Sequence, residues 1–159
     1  MAVIVFIVVV GVFVQKSSGI NFPGIKTPEP SAPVQKTILI SNKKISVEVA
    51  DTNEVRAKGL SGRESLGESS GMLFVFDEKD VTPVFWMKGM LIPLDFIWIE
   101  GGKIVQIDKE VVKPAADTPD DKLKTYSPVK PVDYVLEVNA GFTDKNNIKV
   151  GDSVELDST

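Results

Sequence analysis

The chain has 159 residues, the length of a single domain, with 22 acidic against 18 basic residues, a net charge of −4, and neither cysteine nor histidine. The missing cysteine excludes disulfides, a thiolate nucleophile, thiolate metal sites and the lipid-carrying thiol of a bacterial lipoprotein; the missing histidine removes the commonest general base and zinc ligand. Lys16, Lys26 and Lys36 are the only cations and Glu29 the only anion before Thr37, which leaves 15 basic against 21 acidic residues from there on, net −6. A nucleic-acid partner asks for a clustered basic face, so none is expected.

Residues 1–15 open with MAVIVFIVVVGVFV, an uncharged apolar run followed by Lys16 and two serines. As a helix its 14 residues reach about 21 Å against a hydrocarbon core of about 30 Å. Two readings fit, the apolar core of a signal peptide or an N-terminal membrane anchor, and both place the rest of the chain outside the cytoplasm, membrane-anchored or secreted. Residues 16–36 hold four prolines and no hydrophobic period, the pattern of an extended tether. The membrane is thus expected as a partner through the N-terminal segment alone.

The domain follows over 37–157. TILI and ISVEVA flank SNKK as a hairpin, with Ile45, Val47 and Val49 alternating against Ser46 and Glu48. Asp51 and Thr52 offer N-caps to a short helix, NEVRAKGL, that closes near Gly59. GMLFVF (71–76), PVFWMK (83–88) and PLDFIWIE (93–100) read as strands, and Gly101-Gly102 as a two-residue turn into IVQID and then EVVKPA. Residues 117–131 read as a polar loop, DYVLEVNA (133–140) as a strand, GFTDKNN as a short helix and KVGDSVEL as the last strand. About nine short strands and two short helices imply a mainly β fold, a single β-sandwich or partly closed barrel-like domain.

Lys88 and Asp95 are the two charges in an otherwise apolar stretch, VFWMKGMLIPLDFIW. With a tight connection between their strands, the expectation is a polar cluster at one sheet edge, held as an ion pair or offered to a ligand. Glu137 and Asn139 share a strand face by parity, and Arg63 follows Gly62 with a guanidinium able to hold a carboxylate. These residues, with Trp86 as an aromatic platform, form the candidate ligand site: Arg63, Trp86, Lys88, Asp95, Glu137 and Asn139. A saccharide or peptide-like ligand suits such a groove. No catalytic residue, metal site or cofactor is assigned. The enzyme alternative is a carboxylate-based hydrolase of envelope glycans using Asp95 and Glu137, and the third reading is a purely structural domain.

The blocks RAKGLSGRESL (56–66), GMLFVF (71–76), FWMKGMLIPLDFIWIE (85–100) and YVLEVNAGFTDKNNIKVGD (134–152) resemble the DUF192 family, an uncharacterised family of exported or membrane proteins, in order across residues 40–156. The resemblance implies a β-sandwich-like domain behind an export signal, without an established activity. Two positions depart from the family pattern: Gly89-Met90 stands where Asn-Thr is usual, and Ser61 where Met is usual.

Overall fold

A computed structural model describes residues 34–76, 78 and 80–156. The expected apolar leader over 1–15 and nearly all of the tether lie outside the described residues. Among the described residues no helix is long and apolar enough to cross a membrane.

Among the described residues nine strands form, and their local causes are the ones the alternation dictates. β1 (Gln35–Ile40) and β2 (Lys43–Ala50) make a hairpin whose turn residues Ser41 and Asn42 both have positive φ, 47° and 68°, the geometry that matches strand twist. α1 (Asn53–Lys58) crosses over to β3 (Ser70–Val75), which therefore pairs parallel to β2. Thr52 caps α1 by accepting the Val55 N–H at 3.2 Å. Arg56 pins the helix to both strand ends, donating to the Asp51 carbonyl at 2.8 Å and the Val75 carbonyl at 2.7 Å.

β4 (Phe85–Trp86) is only two residues long and leaves the main sheet to pair with β7 (Thr125–Tyr126). β5 (Leu94–Glu100) turns at Gly101 and Gly102, φ 57° and 70°, into β6 (Lys103–Val111), a single bulged strand that joins the two expected segments IVQID and EVVKPA. β8 (Tyr134–Asn139), α2 (Phe142–Lys145) and β9 (Val154–Leu156) complete the chain. The main sheet runs β6-β5-β8-β3-β2-β1-β9. Its two ends meet: Lys103 bridges Ser153, the Ile104 N–H reaches the Asp152 carbonyl at 2.9 Å, and the Val154 N–H reaches the Gly102 carbonyl at 2.9 Å. The sheet is thus a curled, partly closed barrel, as the strand count implies.

Both faces carry a buried core. The inner core takes residues from all seven strands, among them Ile38, Ile45, Leu73, Ile97, Ile104, Leu136 and Val154, with Phe142 and Ile148 as the plug. The outer core, which includes Met72, Phe74, Phe96, Trp98 and Val135, lies beneath Leu60, Met87, Met90 and Val132.

Asp95 faces inward and is fully buried. On β6, Lys109 and Glu110 together oppose it between the pairs Phe96–Asp108 and Leu94–Val111, a β-bulge whose extra residue Glu110 has φ 50°. The bulge frees the Glu110 N–H, which donates to Asp95 Oδ1 at 2.8 Å. The same oxygen accepts from the Gly141 N–H at 3.1 Å, and Oδ2 accepts from the Thr143 N–H at 3.0 Å and its hydroxyl at 2.7 Å. A Lys109–Asp144 ion pair ties the bulge to α2 from outside. One side chain therefore joins β5, the β6 bulge and the start of α2.

Replacing Asp95 with Asn turns an amide N–H₂ toward donors and strands at least one buried N–H. The expected loss is at least about 3 kcal/mol of unfolding free energy, read by chemical denaturation of the full chain. A loss below about 1 kcal/mol contradicts this role.

Candidate functional site on the outer sheet face

The outer face acquires its cover from an aromatic anchor. Phe85 of β4 packs edge-on against Phe74 at 4.9 Å and Trp98 at 5.6 Å, and tilts on Phe96 at 5.8 Å. Tyr126 of β7 meets Phe96 edge-on at 5.4 Å. Phe85 thus lies over the row Phe74, Val135 and Trp98, whereas Leu94 re-enters the sheet beside Asn139. The row between those two is Met72, Glu137 and Phe96, and the connecting segment 87–92 passes across it. Met87 and Met90 of that segment are buried in the outer core.

A second loop docks beside this cover. The Gly62 N–H donates to the Gly89 carbonyl at 3.0 Å. Gly89 has φ 70°, and a Cβ there would sit 2.4 Å from Ser61 Oγ, so the two departures from the family pattern touch each other.

Extending the Glu137 row across five strands gives Asp108, Phe96, Glu137, Met72 and Glu48. Three carboxyls alternate with two apolar residues, and only the outer two carboxyls are engaged. Glu48 receives a two-point bond from the Arg63 guanidinium, both contacts 2.5 Å. That bond holds the Glu48 carboxyl below its usual range and raises Arg63 further, against partial burial of both. Asp108 Oδ2 accepts the Trp98 indole N–H at 2.6 Å and the Gln106 amide at 3.1 Å. Glu137 is 5% exposed, forms no ion pair or side-chain hydrogen bond with the described residues, and is pushed up to about 8 by burial. A carboxylic acid retained at neutral pH in an apolar setting is both a donor and an acceptor.

The six expected site residues do not form one cluster. Glu137 and Asn139 share the outer face, as parity requires, and Arg63 reaches that face through Glu48. Asn139 donates to the carbonyls of Leu66 and Gly67 at 3.1 and 3.0 Å, holding the second loop, and borders a shallow groove of about 330 Å³ crossed by the Glu68–Lys145 ion pair. Trp86 is half-buried, with Lys88 Nζ 5.7 Å from its ring. Lys88, however, pairs with Asp120 at 2.5 Å and not with Asp95. The expected edge pair fails because β4 leaves the main sheet, so Lys88 and Asp95 are not on neighbouring strands. Asp95, registered with Val138, faces the inner core, whereas Glu137 faces outward. A pair of carboxylates flanking a scissile bond requires one cleft, and these two stand on opposite faces of the sheet.

Glu48, Asp108 and Asp120 complete the arrangement and were not singled out from the sequence. Glu48 occupies a polar position in an alternating strand, which reads as solvent-facing. Asp120 lies in a 3₁₀ turn (Asp120–Lys122) inside the segment expected to be a plain loop, and that segment also supplies β7. Among the described residues no three His, Cys, Asp or Glu gather to hold a metal ion.

The profile of the family DUF192, described as uncharacterised ACR, matches residues 36–156. A candidate transcription regulator from Sinorhizobium meliloti 1021 has a similar crystal structure, with TM-score 0.70 and 27% identity, covering 79% of this chain and 95% of that one. A protein of unknown function from Novosphingobium aromaticivorans DSM 12444 is similar at TM-score 0.64 and 30% identity, covering 77% and 84%. No curated protein matches the chain.

The raised Glu137 has a consequence for stability. Its folded form holds a proton up to about pH 8 while the unfolded carboxyl releases it near its ordinary value of 4.5, so this residue lowers stability progressively as pH rises across that window. Glu137→Gln, neutral throughout, is expected to match the wild type near pH 4 and to exceed it by roughly 3 kcal/mol near pH 7, read by denaturation at both values. Equal pH dependence of the two proteins contradicts the assignment.

Proposed function

The chain belongs to the DUF192 family, and from that footing we propose that it is a ligand-binding module held outside the cytoplasm on its apolar N-terminal segment. The ligand is a saccharide or a peptide-like molecule, received on the outer sheet face between the Trp86 side of the cover and the second loop. The observation that carries this reading is Glu137, a carboxyl buried on the interior strand β8 with no described partner while Glu48 and Asp108 in the same row are both engaged. Burial favours the neutral acid and lowers stability at neutral pH, a cost that folding alone gives no reason to keep. Sites that trade stability for an unsatisfied group are the ones where a ligand completes the bonding.

Trp86 is the aromatic platform in this reading, a half-buried indole on the face of β4 opposite Phe85, beside a lysine already paired with Asp120. Anchoring rests on the uncharged run at 1–15 and the proline-rich segment after it. The regulator description of the Sinorhizobium meliloti neighbour is not carried over as a nucleic-acid partner, since the domain is net acidic.

Thermal-shift screening of the full chain against neutral saccharides and short peptides tests the binding reading. A ligand at 100 times its Kd adds about 2.7 kcal/mol, a shift of several degrees. The shift is expected in the wild type, lost in Glu137→Leu and reduced in Trp86→Ala. An undiminished shift in Glu137→Leu, or none with any probe, overturns it. For the location, protease added to intact cells is expected to cut the domain; full protection contradicts the export reading.

A further inference from the structure

The connecting segment 87–92 lies over the Glu137 row as a strap anchored at both ends. At one end Phe85 packs against Phe74 and Trp98; at the other Leu94 is fully buried and the Pro93 carbonyl accepts the Ala140 N–H at 3.3 Å. Between the anchors the Met90 N–H donates to the Met87 carbonyl at 3.1 Å, a turn that keeps both methionines in the outer core while Gly89 and Leu91 are exposed. The Gly62 N–H on the Gly89 carbonyl and the Lys88–Asp120 ion pair tie the strap to the rest of the domain. Glu137 beneath it is 5% exposed and has no hydrogen-bond or ion-pair partner among the described residues.

The charged groups around this row do not compensate the acid, which is raised by burial alone. On β2, Glu48 is held by Arg63 of the second loop, with Lys58 of α1 beside it, and Arg56 of the same helix is bound to the Asp51 and Val75 carbonyls. On β6, Asp108 accepts from Trp98 and Gln106. In the cover, Lys88 pairs with Asp120 and Lys124 stands 4.7 Å from the ring of Tyr126. Glu68 pairs with Lys145, and Glu64 is exposed. β3 and β5 place only Ser70, Met72 and Phe74, and Leu94, Phe96 and Trp98, on this face, none of them titratable. A neutral carboxylic acid is tolerated under an apolar strap, whereas a carboxylate there has neither donor nor counter-charge and gains most from water.

We propose that residues 87–92 are a lid over Glu137, closed while the acid is protonated and lifted when it ionises, with the Gly62–Gly89 bond broken and Met87 and Met90 withdrawn from the row. The floor stays in place, because β3 and β5 pair with β8 on both sides. The lid regulates the site of the binding reading above, and its use as a ligand's entrance rests on that reading. Lifting returns the carboxyl to its ordinary value of 4.5 from about 8, so opening releases a proton, gains as pH rises from the first value to the second, and levels off above it. The chain has no histidine, the one side chain that ordinarily titrates between pH 5 and 8, so no switch of that kind competes in this window.

Amide hydrogen exchange of the full chain, without ligand, tests the lid at Met90 and Gly62, whose N–H bonds belong to the closed strap. Comparing wild type with Glu137→Gln at each pH removes the intrinsic pH dependence of exchange. Between about pH 5 and pH 7 the ratio of their rates at these two amides is expected to rise about 70-fold, the gain in opening for a carboxyl at 4.5 when open and about 8 when closed. Glu137→Leu, also uncharged, is expected to follow Glu137→Gln, and the β8 amides are expected to stay protected in all three proteins. A ratio that changes by less than about 3-fold, or Met90 and Gly62 amides that exchange only in step with those of β8, overturns the lid. A ligand screen that finds nothing removes the binding module and leaves a pH-driven rise in this ratio as support for the lid; a flat ratio removes the lid and leaves the binding module standing.

Discussion

Four hydrogen bonds converge on the carboxyl of Asp95, and the geometry of the whole domain depends on them. The β6 bulge needs an acceptor for a freed N–H, and α2 begins with amides that have no helical partner. A single buried side chain answers both needs, which fixes where β5, β6 and the end of β8 stand relative to one another. That is why an acidic residue persists inside the most apolar stretch of the chain. Its neighbours on the inner face are Ile97 and Val138, and no water is needed to satisfy it.

The second constraint is that strands β3, β5 and β8 are covered on both faces. A half-exposed antiparallel sheet leaves its polar positions in water, where they need no explanation. Here the aromatic packing of Phe85 and Tyr126 brings two loops down over the polar positions of β2, β8 and β6. Glu48, Asp108 and Glu137 then become buried or partly buried acids, and each requires either a partner or a reason. Two have partners. The third is raised by burial because nothing among the described residues stabilises its charge.

These two features divide the acidic residues by role. Asp95 works inside the barrel as a backbone organiser, and the Glu48–Arg63 pair anchors the loop that Asn139 also holds. Glu137 sits on an interior strand, paired on both sides by β3 and β5, beneath a cover that buries Met87 and Met90.

Period-2 alternation and turn chemistry are local, and on that scale the sequence determined a great deal. It set most of the strand runs, the SNKK hairpin and the Gly101-Gly102 turn, both short helices, and the placing of Glu137 and Asn139 on one face. The mainly β, partly closed architecture followed from strand number and spacing. The partners of each charge did not follow, because they depend on strand order and loop path. Lys88 meets Asp120 through a loop that looked featureless, Arg63 meets Glu48 from a strand position that looked solvated, and Asp95 meets backbone amides exposed only by a bulge. Only the tertiary structure decided that PVFWMK would leave the sheet and lie across it, and so turned an ordinary outward-facing glutamate into a buried acid: burial is a property of what passes overhead, and no residue carries that information in its own neighbourhood.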